Sequence, residues 1–266
     1  MKFPNHFRMR AADIFSLIEE FAPGDIQESW DNSGLSIGDP DMEVDSVLLA
    51  LDCTPEVIDE AISTGAGMVI THHPLIFKGI KRISTDTTLE RMVTKIIKND
   101  LIVYSAHTNI DKVISGVSGI MARKLHLVNI RILQQDNCGD YGLGVIGNLE
   151  APLGFSQILK IVKESFNLDV VKCSKPLDIP IQRVALCGGS GSSLAEMAKG
   201  CGAQLLITAD VSYHNFFCEN NFMIMDIGHY ESEIGVLELI KDILTKKIST
   251  FAVRIAKKNI NPIHYY

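Results

Sequence analysis

Apolar positions along this chain of 266 residues repeat in two ways, at helical spacing and in short unbroken runs. Ile14, Leu17, Ile18 and Phe21 share one helical face and predict a helix over residues 11–22, closed by Pro23-Gly24. A turn-rich segment, SWDNSGLSIGDP, then leads to the compact run SVLLALDC (46–53), which reads as a buried strand. Thr54, Pro55 and Glu56 open the next helix: a cap hydroxyl accepts an orphan N–H, and proline at the first helical position has none to leave unbonded. That helix is expected to reach Gly65 or Gly67 and to hand over to the strand MVIT (68–71). A helix over 87–99 and the strand LIVYSA (101–106) repeat the theme.

The second half follows suit, with strands expected in GLGVIGNL (142–149), VALCG (184–188), QLLIT (204–208), FMIMDI (222–227) and TFAVRI (250–255). Helices are expected over 155–166, 192–200 and, as one long element, 231–247. Continuous apolar strands alternating with helices predict an α/β fold in which sheets are covered on both faces. At ~150 residues per domain the length allows one to two. The pattern weakens around 127–137, which sets the expected division: residues 1–130, with 235–266 packing back, form one half and 131–234 the other.

Composition narrows the class. Hydrophobic residues make up 46% and charged residues 21%, so neither a disordered chain nor a rod is expected. The formal charge of −7 argues against general nucleic-acid binding, where phosphate neutralisation supplies most of the affinity. None of the six cysteines (Cys53, Cys138, Cys173, Cys187, Cys201 and Cys218) forms a C-x-x-C pair, and they read as small buried apolar residues. With no signal-type opening and no run of the roughly 18 apolar residues needed for a membrane span, the expected setting is cytoplasmic.

Histidine carries the candidate chemistry. His72, His73, His107, His214 and His229 fall at or just beyond predicted strand ends, the edge where ligands collect in open α/β sheets, whereas His6, His126 and His264 read as surface residues. In MVITHHPLIF, extended geometry before Pro74 sends His72 and His73 to opposed sides, which suits two neighbouring ions better than one; a plain polar loop is the alternative. In SAHTNIDK, His107 and Asp111 follow the next strand, and Asp111 either completes an imidazole-rich site or caps a turn. In DIGHYESE, His229 and Glu233 are i, i+4 and converge if the helix begins at His229, while Glu231 favours the helix start through its dipole. Five ligands exceed the three usual for a catalytic zinc, but suit two ions if one carboxylate, arithmetically Glu233, bridges. Such a pair activates water and polarises the group it attacks.

Other motifs stay open at this point. GGSGSS (188–193) reads as a tight turn with a serine cap, an anion cradle or, less well, a nucleophile elbow at Ser190. Asp210 and His214 are either an acid–base pair, an outer shell orienting a ligand, or a capped helix; His107 is placed with them as a proton carrier or outer-shell group. Trp30 reads as core and Asp31-Asn32 as turn residues, with direct chemistry the alternative.

WDNSGLSIGDP, THHPLIF, SAHTNIDK, GGSGSS, ITADVSYH and DIGHYESE occur in the order found in the NIF-three-like proteins, also labelled GTP cyclohydrolase I type 2 homologues. The chain resembles that family over nearly its whole length. The resemblance implies two interlocked α/β halves of related layout, no inserted regulatory domain, and a dinuclear metal site between the halves. It also implies a toroidal homohexamer whose sites face an internal cavity. The family's ligands map onto His72, His73, Asp111, His229 and Glu233. The expected cofactor is two divalent ions per subunit, and imidazole and carboxylate donors fit zinc, iron, manganese, nickel or cobalt. The expected activity is metal-dependent hydrolysis of a small molecule, with purine nucleotides as candidates and attack at guanine C8, another C–N bond or a phosphate bond all open. The rival is a non-catalytic metal-binding scaffold or metal-handling protein.

Overall fold

The computed structural model describes residues 8–136, 139–219 and 221–265; His6 and Cys138 lie outside them. The chain forms two units. One extends to Ile110 and takes in the chain again from Leu237, and the other is Asp111–Val236. The division thus falls about twenty residues before the weak stretch at 127–137. The cause is packing: in the helix Val117–Lys124, Met121 and Ala122 belong to the second unit's core.

The first unit is built on a five-stranded sheet in the order Ala252–Ile255, Ser46–Ala50, Met68–Thr71, Ile102–Ser105 and Gly34–Ile37. The first four run parallel, and Gly34–Ile37 closes one edge antiparallel. Both faces are covered, as the unbroken apolar runs predict. Leu48, Val69 and Val103 pack with Val57, Ile58 and Ile96 of the helices Pro55–Thr64 and Thr88–Lys98. The alternate residues Leu49, Ile70 and Tyr104 are buried too, and Phe15 of the helix Ala11–Glu19 stacks on Tyr104 at 5.0 Å between ring centroids. Local signals set the helix ends. Thr54 Oγ1 accepts from the Val57 N–H, Gly65 ends that helix at φ +74°, and Thr87 and Glu90 form a reciprocal capping box.

The second unit has a six-stranded sheet in the order Val128–Gln135, Gly142–Leu153, Ile181–Leu186, Leu205–Thr208, Met223–Asp226 and Lys172–Cys173. Its three parallel strands, Ile181–Leu186, Leu205–Thr208 and Met223–Asp226, are flanked by antiparallel ones. Val184, Leu205 and Met225 pack beneath the helix Phe155–Phe166 on one face, and Ala185, Leu206 and Ile224 meet Leu194 and Ala198 on the other.

Three expectations change. The polar stretch at the expected boundary contains a strand, Val128–Gln135, paired through an irregular register with Gly142–Leu153. The turn-rich segment after Trp30 contains the edge strand Gly34–Ile37. The long helix at 231–247 is two helices, His229–Glu233 and Val236–Lys247, interrupted at Ile234-Gly235. No disulfide forms among the described cysteines, of which Cys53 and Cys187 are buried and the others half-buried. Among the described residues no helix is long and apolar enough to cross a membrane.

Candidate metal centre

Register creates the first cluster. Thr71 and Ser105 lie opposite each other at the ends of adjacent parallel strands, their hydroxyls 2.9 Å apart, so the residues that follow them emerge side by side. Those residues are His72, His73 and His107. Their imidazole centroids are 5.0–5.5 Å apart, and one ligand atom from each lies within 4.8 Å of the others. His72 and His73 therefore converge rather than oppose. The chain bends after Thr71, with the Thr71 hydroxyl donating to the His73 carbonyl at 2.7 Å, so the alternation of a strand no longer applies.

Each ring in this cluster is held by its Nδ1. His72 Nδ1 is 2.7 Å from the Ala106 carbonyl oxygen, His73 Nδ1 is 2.8 Å from Asp52 Oδ1, and His107 Nδ1 is 2.7 Å from Asp31 Oδ1. These oxygens accept, so in each ring Nδ1 carries a hydrogen. Asp31 is wholly buried and accepts further bonds from the Ser33 and Thr108 hydroxyls and from the Asn32 and Thr108 N–H groups. Burial opposes its ionisation, but those bonds and the nearby imidazole outweigh it and hold the carboxyl well below the usual carboxylate range. Asp31 is thus the anchor of His107 and not a turn residue alone. Trp30, read as core, is 58% exposed instead.

The second unit assembles a different set. His229 begins a short helix, so His229 and Glu233 face one another with Nε2 2.9 Å from Glu233 Oε2. His229 Nδ1 lies 2.7 Å from Asp210 Oδ2. Asp210 is therefore a hydrogen-bond partner of His229. Burial lowers the affinity of His229 for a proton, but the two carboxylates, Glu233 foremost, overcome this and push its pKa up to about 9. Asp226, nearly buried at the end of its strand, accepts from the Val211 and Gly228 N–H groups and from Lys172, which ties both loops in place. Asp111 ends the short helix Thr108–Asp111. Burial, reinforced by the charges of Asp111 and Glu233, pushes the Cys187 thiol up to about 12.

GGSGSS serves this set. Gly189 has φ +59°, and a Cβ there would stand 2.1 Å from Glu233 Oε1 and 3.3 Å from the His229 ring. The Gly189 N–H donates to Ser232 Oγ and the Gly191 N–H to Thr208 Oγ1, so these two donors of the turn are already engaged. Its glycines let the backbone approach the His229–Glu233 pair. His214 lies on the 3-10 turn Tyr213–Phe216, exposed, with its ring against Tyr213 and Phe217.

The sequence missed Asp31, Asp52 and Asp226 as supporting groups. Asp52 and Asp226 each carried one signal, an acid closing an otherwise apolar strand run.

A mixed α/β chain with imidazoles gathered at parallel strand ends, each backed by an oxygen acceptor, carries groups that could hold a metal ion. The sequence profile of the Duf34/NIF3 (NGG1p interacting factor 3) family matches residues 9–262, and the chain belongs to that family. It is 36% identical over 94% of its length to a protein of Clostridium perfringens and 34% identical over 97% to one of Clostridium acetobutylicum, covering 98% and 99% of them; both are named GTP cyclohydrolase 1 type 2 homolog. A crystal structure of a hypothetical protein of Staphylococcus aureus superposes with a TM-score of 0.89 at 28% identity, covering 97% of this chain and 99% of that one.

Proposed function

We propose that this protein is a metal-dependent hydrolase of a small molecule, with His72, His73, Asp111, His229 and Glu233 as ligands of two divalent ions. One observation carries the reading. All four strand-end imidazoles are held at Nδ1 by an oxygen acceptor, a carboxylate in three cases, which fixes the orientation of each ring, the arrangement common behind metal-binding histidines. Donor chemistry fits: imidazoles and carboxylates without thiolates suit borderline divalent metals. The relatives' names make purine nucleotides the first substrates to test.

When bound, such ions supply Lewis-acid activation of water and of the attacked group. The chain's own residues do the rest. Asp52, Asp31 and Asp210 orient the imidazoles, and Glu233, nearly buried, supplies negative charge. His107, with Nδ1–H donated to Asp31, can take and release a proton at Nε2 if it is not itself a ligand. His214 is the other candidate proton carrier.

Metal analysis of purified protein should find close to two divalent ions per chain. Metal-loaded protein, screened against GTP and other nucleotides, should form product that disappears in His72→Ala. Stoichiometric metal with no turnover across the panel would replace the hydrolase with a non-catalytic metal-handling role.

A further inference from the structure

Two large aromatic side chains stand in solvent beside the first histidine cluster. Trp30 is 58% and Phe77 49% exposed, although large apolar rings gain free energy by burial. They touch in a tilted pair, centroids 5.9 Å apart and planes at 54°, yet each keeps about half its surface in solvent. Both rings also approach His107, at 6.2 Å and 6.5 Å. The wedge is braced from behind. Asn32 Nδ2 donates to the Ile76 carbonyl at 2.6 Å, joining the loop that carries Trp30 to the loop that carries Phe77, and Asp31 is fastened to His107. The same segment then places Lys78, Lys81 and Arg82, all exposed, within five residues of Phe77, a local concentration of cations on a chain of charge −7.

We propose that Trp30 and Phe77 form the platform on which a planar heteroaromatic ring stacks, with Lys78, Lys81 and Arg82 facing the ligand's anionic tail. This inference rests on the proposed function and names which residues select the ligand of that site. Aromatic faces accept flat rings with little regard to identity, so the wedge sets a class of ligand, a phosphorylated heteroaromatic, rather than one base. The braced loops hold the platform before the ligand arrives, which lowers the ordering cost of binding.

Trp30 is the chain's single tryptophan, so its fluorescence reports this platform alone. Titrated with GTP, metal-free and metal-loaded protein should both show quenching that saturates, while inorganic triphosphate and ribose phosphate at the same concentrations leave the emission unchanged. Phe77→Ala should weaken the GTP response about fivefold or more, and Phe77→Tyr should restore it. Equal quenching by base-free triphosphate, or unaltered affinity in Phe77→Ala, would overturn the platform. So would Trp30 emission shielded from acrylamide in the assembled protein, which would mean that another copy of the chain covers it. Metal content and turnover of the same samples separate the two readings. A metal-binding, active protein with base-insensitive Trp30 loses only the platform, whereas base-dependent quenching in a protein that binds no metal loses only the hydrolase.

Discussion

The two units gather their candidate ligands at the same place, the carboxyl ends of parallel strands, but with opposite electrostatics. In the first unit three imidazoles cluster, and their acids, Asp31 and Asp52, stand behind the rings as hydrogen-bond acceptors at Nδ1. In the second, one imidazole is held between two acids, one of which, Glu233, meets its Nε2 directly. The first set thus gathers imidazoles, and the second supplies negative charge. A cation held by imidazoles alone keeps its full charge in a half-buried setting, so carboxylates are the stronger lever on affinity.

That contrast ranks the ligands. Glu233→Ala should have the largest effect, because it removes the nearly buried carboxylate and leaves His229 with Asp210 alone. Loss of bound metal should exceed the roughly 10–100-fold typical of outer-shell changes, with circular dichroism unchanged. Metal titration followed by calorimetry checks this. Full retention of metal in Glu233→Ala would reverse the ranking of the two sets.

A pair of outer acids sharpens the comparison at smaller amplitude. Asp31 is wholly buried and collects bonds from Ser33, Thr108, Asn32 and His107, whereas Asp210 is about half exposed. Asp31→Asn should lower metal affinity by about 10–100-fold and also cost about 1.5–3 kcal/mol of stability, the usual worth of hydrogen bonds to a charged group. Asp210→Asn should lower metal affinity comparably at little cost to stability. Denaturant melts of the metal-free variants distinguish the two. Equal midpoints would mean that the buried Asp31 network does not brace the first unit.

The fold was legible where burial imposed a period. Unbroken apolar runs marked the strands Ser46–Ala50, Met68–Thr71 and Ile102–Ser105, and Thr54-Pro55 and Thr87 marked helix starts. Gly34–Ile37 escaped because an edge strand is half-exposed, and its Gly34 and Gly38 look like turn residues. Val128–Gln135 escaped because it is short of buried apolar positions, only Leu133 being buried, and it ends in the polar Gln134-Gln135. In the candidate site, histidines at strand ends could be read from local spacing. Two supporting acids could not: Asp31 and Asp52 lie 76 and 21 residues from the rings they hold, and only register brings them together, while Asp210 was legible as a supporting acid but not its partner His229, 19 residues on. Gly189 is a similar case, since its role depends on Glu233 arriving from 44 residues away in the chain.

The smallest expected effect concerns protons. With its pKa raised to about 9 in the metal-free protein, His229 is an imidazolium at neutral pH, donating to both acids. A group whose folded pKa lies above its ordinary value of about 6.5 contributes stability fully present below that value and lost as pH rises through about 9. Metal binding runs the other way, because a cation at Nε2 must displace that proton, so affinity should rise with pH until about 9 and then level. Nitrogen-15 chemical shifts of His229 across this range give the pKa directly, and metal titrations at several pH values give the linkage. A His229 that titrates near 6.5 would show that Glu233 and Asp210 do not act on it together, and the electrostatic difference between the two units would largely vanish.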